Sequence, residues 1–232
     1  TKIERKGQVL MTGNVPLENG SSGIFVENHK IEVLDTGVFK LTYDDGREIR
    51  IENTRAIDEL ALQGPWHVHF LERPSLGDSF STTLNELRSW TVSQMDGIKY
   101  FSGTALYEKR FSIDKINLTE GRAYLNLGKV GDIATVWFNW QEVGTLLKPP
   151  YVSDITDYIN AGENKIEIAV TNLWINRLIG DQKLPPEERR TTTNLENEAR
   201  FEKLRKPDAD KYLRVSGLLG PVTIRFSKLF NL

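Results

Sequence analysis

Short segments in which apolar and polar residues alternate run through most of the chain. In residues 38–52, apolar side chains at every second position stand on both sides of the turn-forming sequence Asp44–Gly46. An alternation with a period of two places every second side chain on the same face of a β-strand. The pattern therefore predicts a β-hairpin over residues 38–52, with its turn at the glycine.

Five later segments repeat this alternation, and each presents one apolar face. Those faces consist of Trp66, Val68 and Phe70; Ala105, Tyr107 and Phe111; Ala123, Leu125 and Leu127; Ile166, Ile168 and Val170; and Val222, Ile224 and Phe226. Residues 133–140 are apolar at nearly every position, which predicts a central strand covered on both faces. Many short strands separated by turn signals indicate an all-β protein, folded as a sandwich or a barrel.

One short segment carries the signals of a helical turn. Ser153 or Asp154 can accept backbone N–H groups at its start, and residues 155–159 follow. Gly162 stands where a left-handed residue ends a helix. We predict a structural role for this turn, as a connection between strands.

Residues 181–211 form the most highly charged part of the sequence, with eight acidic and eight basic side chains. So long a connection in a compact domain is usually functional or disordered, and disorder is one interpretation of this segment. The other is partial order, in which residues 195–205 form a short exposed helix. Its apolar anchors would be Phe201 and Leu204.

The overall charge and residue content exclude several classes of function. Among 232 residues, 30 Lys and Arg stand against 32 Asp and Glu, so no excess of basic charge attracts nucleic acid. The absence of cysteine excludes thiol nucleophiles, disulfides and zinc–thiolate or iron–sulfur sites. No apolar run reaches the roughly 18 residues that a membrane span requires. The first residues lack the apolar stretch of a signal peptide, and the missing initial Met indicates a piece of a longer chain.

Two of the three histidines, His67 and His69, lie two positions apart on a predicted strand and therefore share a face. Together they could hold a metal ion, although two imidazoles supply only half of a zinc coordination shell. Trp66, Val68 and Phe70 occupy the opposite, apolar face, so we interpret both histidines as solvent-facing residues that hold no metal. No phosphate-binding glycine loop, serine nucleophile elbow or HExxH motif occurs in the sequence.

Side chains suited to sugar recognition follow the predicted strand that ends near Thr171. Trp174 offers an aromatic face for a sugar ring. Asn176, Arg177 and Asp181 offer directional hydrogen bonds to hydroxyl groups. Because functional residues collect where the chain leaves a rigid scaffold, these four residues are the predicted site for carbohydrate or a partner. The alternative is structural, with Trp174 in the core and Arg177 paired with Asp181 in a solvated ion pair.

A series of short motifs occurs in a particular order from about residue 60 to the end. The series is Gly64-Pro65-Trp66, Leu87-Arg88-Ser89-Trp90-Thr91, residues 100–107, Leu125-Asn126-Leu127-Gly128 with Val130, Asp154-Ile155-Thr156, Gly162-Glu163-Asn164, Val170-Thr171-Asn172 and residues 176–181. This order resembles the C-terminal region of large bacterial glycoside hydrolases of the family 106 α-L-rhamnosidase type. The Asp-Ile-Thr and Gly-x-Asn motifs are also similar to those of family 2 sugar-binding jelly rolls.

The resemblance implies a galactose-binding-like jelly-roll β-sandwich over residues 61–232, with residues 181–211 as a long charged loop. Residues 1–60 resemble the small β segment that links such a sandwich to the rest of the enzyme. The catalytic acids of these enzymes lie on a barrel domain far upstream, so no catalytic residue is assigned here. Trp140 follows Asn139 where related jelly rolls usually have glycine, which argues against the usual tight turn and makes Trp140 a further candidate for binding.

The function that the resemblance implies is an accessory, non-catalytic module of a glycoside hydrolase that acts on plant-type polysaccharide. Its partners would be carbohydrate, an upstream catalytic domain of the same polypeptide, or both, without nucleic acid or membrane. Two alternatives stay open, an autonomous lectin-like carbohydrate-binding module and a purely structural interaction domain. The sequence offers no metal site and no cofactor site and leaves a structural calcium ion open. The resemblance implies a periplasmic or secreted location.

The interpretation of the two histidines leads to a direct test. Replacing both, as His67→Ala with His69→Ala, is expected to change neither the melting temperature nor the metal content, because neither imidazole is assigned to the core or to a metal. Thermal unfolding and elemental analysis of the purified variant measure the two quantities. A stoichiometric metal that is lost in the double variant would show that the two histidines are ligands.

Overall fold

A computed structural model describes residues 2–5, 8–12, 15–16, 24–27, 30–53, 59–71, 79–114, 121–191 and 199–231 of the chain. These residues fold mainly into β-strands. In chain order the strands are β1 (Lys2–Arg5), β2 (Gln8–Thr12), β3 (Val15–Pro16), β4 (Ile24–Glu27), β5 (Lys30–Val33), β6 (Gly37–Thr42), β7 (Glu48–Asn53), β8 (Glu59–Ala61), β9 (Trp66–Phe70), β10 (Phe80–Leu84), β11 (Thr104–Ile113), β12 (Ala123–Asn126), β13 (Lys129–Gly131), β14 (Ile133–Phe138), β15 (Gln141–Leu146), β16 (Val152–Asp154), β17 (Gly162–Thr171), β18 (Gly217–Gly220), β19 (Thr223–Phe226) and β20 (Lys228–Asn231).

Helices are short and lie between strands. The α-helices are α1 (Asp96–Lys99), α2 (Ile175–Asp181) and α3 (Ala199–Glu202), and the 3₁₀ turns are Trp90–Val92, Pro186–Glu188, Lys203–Arg205 and Ala209–Tyr212. Within the described parts of the chain, none of the helices has the length and apolar character needed to cross a membrane. The described chain is therefore an all-β protein with a few helical connections.

Two antiparallel sheets form the sandwich. The six-stranded sheet has the order β10-β9-β11-β17-β14-β15, and the four-stranded sheet has the order β16-β12-β19-β8. One core contains buried side chains from both sheets, such as Tyr107 and Ile168 from the first and Leu125 and Ile224 from the second. This arrangement is the jelly-roll sandwich that the alternating pattern and the resemblance predict.

The predicted apolar faces coincide with the buried faces of the strands. Trp66, Val68 and Phe70 are each 1% exposed, and β12 and β17 bury their predicted apolar residues in the same way. The prediction for residues 133–140 is only partly correct. β14 is paired on both edges, but only one of its faces is buried, and Trp137 on the other face is half-buried. The reason is that this second face is the outer surface of the sandwich.

A buried tryptophan and a buried tyrosine form a hydrogen bond in the core of the sandwich. Trp90 Nε1 donates to the Tyr107 hydroxyl oxygen at 2.6 Å, and the Leu218 backbone N–H donates to the same oxygen at 3.1 Å. Burial raises the pKa of Tyr107 to about 12, so the hydroxyl stays protonated. Gly217 is required beside this pair, because its φ is 95° and an added Cβ would lie 2.4 Å from Trp90 Nε1.

The N-terminal strands form two further sheets, one with the order β3-β2-β1-β6-β7 and one with the order β20-β5-β4, in which β20 comes from the other end of the described chain. The predicted hairpin is confirmed, since β6 and β7 pair in register and Gly46 in the turn has a φ of 85°. A separate core of Ile31, Val33, Phe39, Leu41 and Ile51 lies beneath these strands. The domain boundary near residue 60 stays a prediction, although β8 pairs with β19 of the sandwich and β20 pairs with β5.

The segment around β5 contacts the outward side chains of the four-stranded sheet. The Tyr124 hydroxyl donates to Glu32 at 3.0 Å, and Arg225 forms an ion pair with Asp35 at 2.7 Å. Tyr124 and Arg225 are opposite each other in the β12–β19 register. The N-terminal residues therefore cover part of this outer face of the sandwich.

The predicted helical turn after β16 is present. The backbone N–H groups of Tyr158 and Ile159 both donate to the Ile155 carbonyl, and the Asp154 carboxylate accepts from the Thr156 N–H at 2.9 Å. Gly162, with a φ of 90°, begins β17. Asp154 is therefore the capping residue, and the role of the segment is structural, as predicted.

A tight turn joins β14 to β15 although its second residue is tryptophan, so the expectation against such a turn is wrong. Asn139 and Trp140 have φ values of 47° and 65°, and positive φ at both central residues is what a two-residue type I′ hairpin requires. The Asn139 side chain holds the turn: its oxygen accepts from the Lys165 N–H at 2.8 Å and its amide donates to the Tyr158 carbonyl at 2.8 Å.

The left-handed backbone at Trp140 predicts that glycine would be more stable there. A left-handed conformation destabilises the folded state by roughly 1–2 kcal/mol for a residue with a Cβ atom. Glycine avoids this strain, but it loses more conformational entropy on folding, which offsets part of the gain. Trp140→Gly is therefore expected to raise the free energy of unfolding by about 0.5–1 kcal/mol in chemical denaturation. Trp140→Ala keeps the Cβ atom and serves as the control. Equal stability of the Gly and Ala variants would contradict the left-handed turn.

Candidate functional site

Buried hydrogen bonds around Ser216 fix the end of the sandwich at which β17 stops. The Ser216 hydroxyl oxygen accepts from the Asn172 amide at 3.0 Å and from the Asn176 amide at 2.8 Å. These three residues, the Ser216 cluster, are 1%, 7% and 0% exposed respectively. A buried polar group that loses its partner costs about 1–3 kcal/mol, so the three side chains stabilise the fold only as a set.

The Ser216 cluster ties together segments that are far apart in the sequence. Asn172 accepts from the Gly103 N–H at 2.8 Å, which joins the end of β17 to the start of β11. Asn176 accepts from the Arg214 N–H at 2.8 Å. The Ser216 N–H donates to the Ser89 hydroxyl at 3.1 Å. Four connecting segments therefore hold defined positions at this end.

Exposed apolar side chains collect at the same end of the six-stranded sheet. Ile133 pairs with Thr171 across β14 and β17, and Leu147 follows the β15 residue that pairs with Ala134. On the other side of β17, Thr104 also pairs with Thr171, and its carbonyl accepts from the N–H of Leu71. Leu71, Ile133 and Leu147 thus lie at the same end of the sheet, with β11 and β17 between Leu71 and Ile133.

We define the end patch as the exposed large apolar residues carried by these strand ends and by the segments that the Ser216 cluster ties down. Its members are Leu71, Val92, Met95, Ile133, Leu147, Leu173, Trp174 and Val215, which are between 37% and 69% exposed. In the described part of the chain, one further large apolar residue is exposed, Trp140, at the opposite end of β14. Grouped exposed apolar side chains mark interaction surfaces.

Arg177 and Asp181 form a buried ion pair on α2. The Arg177 Nε donates to Asp181 Oδ1 at 2.8 Å, and the side chains are 13% and 1% exposed. The second carboxylate oxygen of Asp181 accepts from the Thr191 N–H at 2.8 Å and from the Thr191 hydroxyl. The structural alternative for this pair is thus partly correct, because the two residues do pair, but the pair is buried rather than solvated.

The structure divides the predicted site residues into two groups. Trp174 is 46% exposed and belongs to the end patch, so the alternative that placed it in the core is wrong. Asn176 and Asp181 are fully buried and make the internal hydrogen bonds described above. Arg177 is mostly buried beside them, and Trp140 lies at the opposite end of the sandwich. Trp174 is therefore the member of the predicted set that a partner can reach directly at this end.

The charged segment after α2 is ordered in its described residues, 182–191 and 199–211. Phe201 and Leu204 are 4% and 5% exposed and pack with Ile179 and Tyr100, so their prediction as apolar anchors is confirmed. The predicted helix over 195–205 is present as α3 and a 3₁₀ turn from residue 199 onward, and residues 195–198 lie outside the described ones. The alternative of plain disorder is therefore wrong for the described part.

A four-residue polar cluster holds the later part of this segment against α1. Asp210 accepts from Lys99 at 2.6 Å, from the Tyr100 hydroxyl at 3.0 Å and from Lys183 at 3.1 Å. Burial alone would raise the pKa of Asp210, but the hydrogen bonds from its three partners outweigh burial and hold the pKa below its usual range. These contacts fix the segment beside the end patch.

The sequence interpretation missed most of the end patch. Val92, Met95 and Val215 stand singly between polar residues in connecting segments, so they match neither a strand nor a helix pattern. The sequence feature that could have indicated these residues is a large apolar side chain that stands alone in a polar loop. That signal is weak, because single exposed apolar residues are normal on protein surfaces.

His67 and His69 lie on the outer face of the six-stranded sheet, as predicted. His67 is exposed and His69 is half-buried, and they contact the hydroxyls of Thr83 and Ser81 on the neighbouring strand. In the described residues, no group of three or more His, Asp or Glu is placed to hold a metal ion. Whether the protein contains a metal stays a prediction to be tested.

Three similarities to known proteins bear on this site. The family model for the sugar binding domain of family 2 glycosyl hydrolases matches residues 62–217. A Formosa agariphila protein named as a beta-glucuronidase is 41% identical over 181 residues, which cover 71% of this chain and 15% of that protein. The structure of a rhamnosidase from Novosphingobium sp. PP1Y matches 88% of this chain and 23% of its own, with 25% identity and a TM-score of 0.61. The chain thus spans less than a quarter of the length of either relative.

The burial of the Arg177–Asp181 pair predicts a large loss of stability on its disruption. Removing one partner of a buried ion pair costs about 3–5 kcal/mol, because the other charge stays buried without its counter-ion. Asp181 would keep the hydrogen bonds from Thr191 but lose its cation. Arg177→Ala is therefore expected to lower the melting temperature by roughly 6–20 °C in calorimetry. Lys211→Ala, which separates the exposed pair of Lys211 and Asp208, is the control and should leave the melting temperature unchanged. A change as small as that of the control would contradict the buried pair.

Proposed function

This chain belongs to the sugar binding domains of family 2 glycosyl hydrolases, and we propose that it is a non-catalytic accessory module that docks on another domain of the same polypeptide. The observation that carries the proposal is the end patch. Eight of the nine large apolar side chains that are exposed in the described residues lie at one end of the sandwich. Such a concentration is expected of a surface that another protein domain covers.

The chemistry of the end patch favours a protein partner over a sugar. Sugar recognition at Trp174 would need nearby polar groups that are available to hydroxyls. The amide of Asn176 and the carboxylate of Asp181, which the sequence offered for this task, are buried and make internal hydrogen bonds. The neighbours that reach the surface around Trp174 include Leu173 and Val215, which offer apolar contact.

The order of the surrounding segments also supports docking. Surfaces that are rigid before binding lose less entropy when a partner orders them. The hydrogen bonds of Asn176 to Arg214 and Ser216 fix the chain on both sides of Val215 and just after Trp174. The contacts of Asp210 hold the charged segment in place. Asn176, Arg177 and Asp181 therefore act in this proposal as positioning residues, and Trp174 makes the contact.

The parent polypeptide, in this proposal, is a glycoside hydrolase of the α-L-rhamnosidase type that acts on plant-type polysaccharide. The similarity to the rhamnosidase structure over 88% of the chain supports that type, and so does the ordered series of motifs. The small share of each relative that this chain spans supports an accessory role within a longer protein. Catalysis would then lie on another domain, which this module positions or supports.

Docking is tested by association between separately purified parts. The chain and the remainder of its polypeptide are expressed apart and mixed in isothermal titration calorimetry. Truncation of two central apolar residues, Trp174→Ser with Val215→Ser, is expected to weaken association at least about tenfold. Trp140→Gly is the matched control, because it removes the exposed indole at the opposite end, and its affinity should equal that of the wild type.

Two results would contradict the docking proposal. One is unchanged affinity of the Trp174 and Val215 double variant, with a normal melting temperature. The other is loss of saccharide binding in Trp174→Ser while association between the two proteins is unchanged. The second result would assign the end patch to carbohydrate.

A further inference from the structure

The two outer faces of the sandwich differ in what covers them. Tyr124 and Arg225 on the four-stranded sheet contact Glu32 and Asp35 of the N-terminal residues. The outer face of the six-stranded sheet instead carries exposed or half-buried polar side chains from all six of its strands, such as His67 on β9 and Thr145 on β15. This second face lies along the strands and adjoins the end patch at the strand ends, where Ile133 is on the same face of β14 as Trp137.

An open groove of about 300 Å³ lies on this polar face. Its polar lining consists mainly of His67, His69, Ser81, Thr83 and Glu108. Ligand pockets begin at about this volume. Hydroxyl and imidazole groups can each donate and accept hydrogen bonds, which matches the hydroxyls of a sugar, since these also do both.

The charges beside the groove balance one another. Lys165 lies between two carboxylates, at 2.6 Å from Glu108 and 2.9 Å from Glu167. The hydrogen bond from Lys165 holds the pKa of Glu108 below its usual range, so this carboxylate is ionised and accepts hydrogen bonds. Arg110, on the same face of β11 and opposite Lys165, also lowers the pKa of Glu108. Two cations therefore balance the two carboxylates, and a site without net charge is compatible with a neutral ligand.

An aromatic side chain lies in the same row of the sheet as the groove. His67 pairs with Glu108, Glu108 with Glu167, and Glu167 with Trp137 across β9, β11, β17 and β14. Neighbouring strands are about 4.8 Å apart, so Trp137 lies about 10 Å from Glu108, two strands away. Trp137 is half-buried on the outer face and presents an indole that a sugar ring can contact.

We propose that this row of the six-stranded sheet binds a neutral oligosaccharide, with one sugar in the groove between His67 and Glu108 and another against Trp137. The carboxylates of Glu108 and Glu167 accept hydrogen bonds from sugar hydroxyls, and the hydroxyls and imidazoles of the groove complete the set. The site lies away from the end patch, so it does not depend on docking. A module docked by one end would keep this face free for substrate, which would raise the local concentration of the polysaccharide.

The test is a titration of the whole chain with neutral tetrasaccharides, namely those of xylose, mannose, galactose and glucose, and with tetragalacturonate as the anionic comparison. Intrinsic tryptophan fluorescence reports binding. At least one neutral tetrasaccharide is expected to bind with a Kd of about 0.1–1 mM, and tetragalacturonate more weakly. Trp137→Ala and Glu108→Gln should each weaken binding at least about tenfold.

Controls separate loss of the site from loss of the fold. Glu163→Gln removes a carboxylate from the same face at the far end of β17, where it pairs with Ser112, and should leave the affinity unchanged. Trp137→Phe keeps an aromatic face and should retain most of the affinity. The melting temperature of each variant is measured alongside the titration.

Two outcomes would overturn the proposal. The first is the absence of binding to every neutral tetrasaccharide at up to about 10 mM, a level at which a useful site would be saturated. The second is binding that survives Trp137→Ala and Glu108→Gln in folded protein. Because association through the end patch is measured separately, failure here leaves the docking proposal standing, and failure of docking leaves this one standing.

Discussion

The conformation of the connecting segments at the end of the sandwich that carries the end patch depends on the hydroxyl of Ser216. It accepts hydrogen bonds from two asparagine amides that follow β17, and its own backbone holds the segment before the 3₁₀ turn at Trp90. Each partner is buried, so none can exchange its protein hydrogen bond for water. The connecting segments at this end are therefore held in defined positions by buried hydrogen bonds, and so are the backbone positions that carry their apolar side chains.

The sandwich separates two kinds of surface. The strand ends and the connections around Ser216 carry large apolar side chains, which suit a protein partner. The outer face of the six-stranded sheet carries alternating polar residues, because the opposite side of each strand fills the core. This separation follows from the geometry of a β-strand. Its side chains alternate between the two faces of the sheet, while the connecting segments begin at its ends. The proposed docking and the proposed sugar contact would therefore use different surfaces of the module.

The charged segment after α2 shows how composition misleads when it is considered alone. Sixteen charged residues suggest a solvated loop, but a few apolar residues, including Phe201, Leu204 and Ala209, bury themselves against Tyr100 and Ile179. Asp210 then satisfies two lysines and a tyrosine from separate elements. A small apolar core with one well-placed carboxylate is enough to order a connection in which charge predominates.

The sequence by itself determined the strands, since alternation is a local property: the hairpin at 38–52, the face of Trp66, Val68 and Phe70, and the capped turn at Asp154 all follow from neighbours along the chain. It also pointed to Trp174 and to the pairing of Arg177 with Asp181. Only the tertiary structure decided that the pair is buried, that the Trp140 turn is held by the hydrogen bonds of Asn139, and that Val92, Leu147 and Val215 lie at one end. Burial and the meeting of distant residues depend on how sheets pack and which strand ends coincide, and no local pattern encodes either.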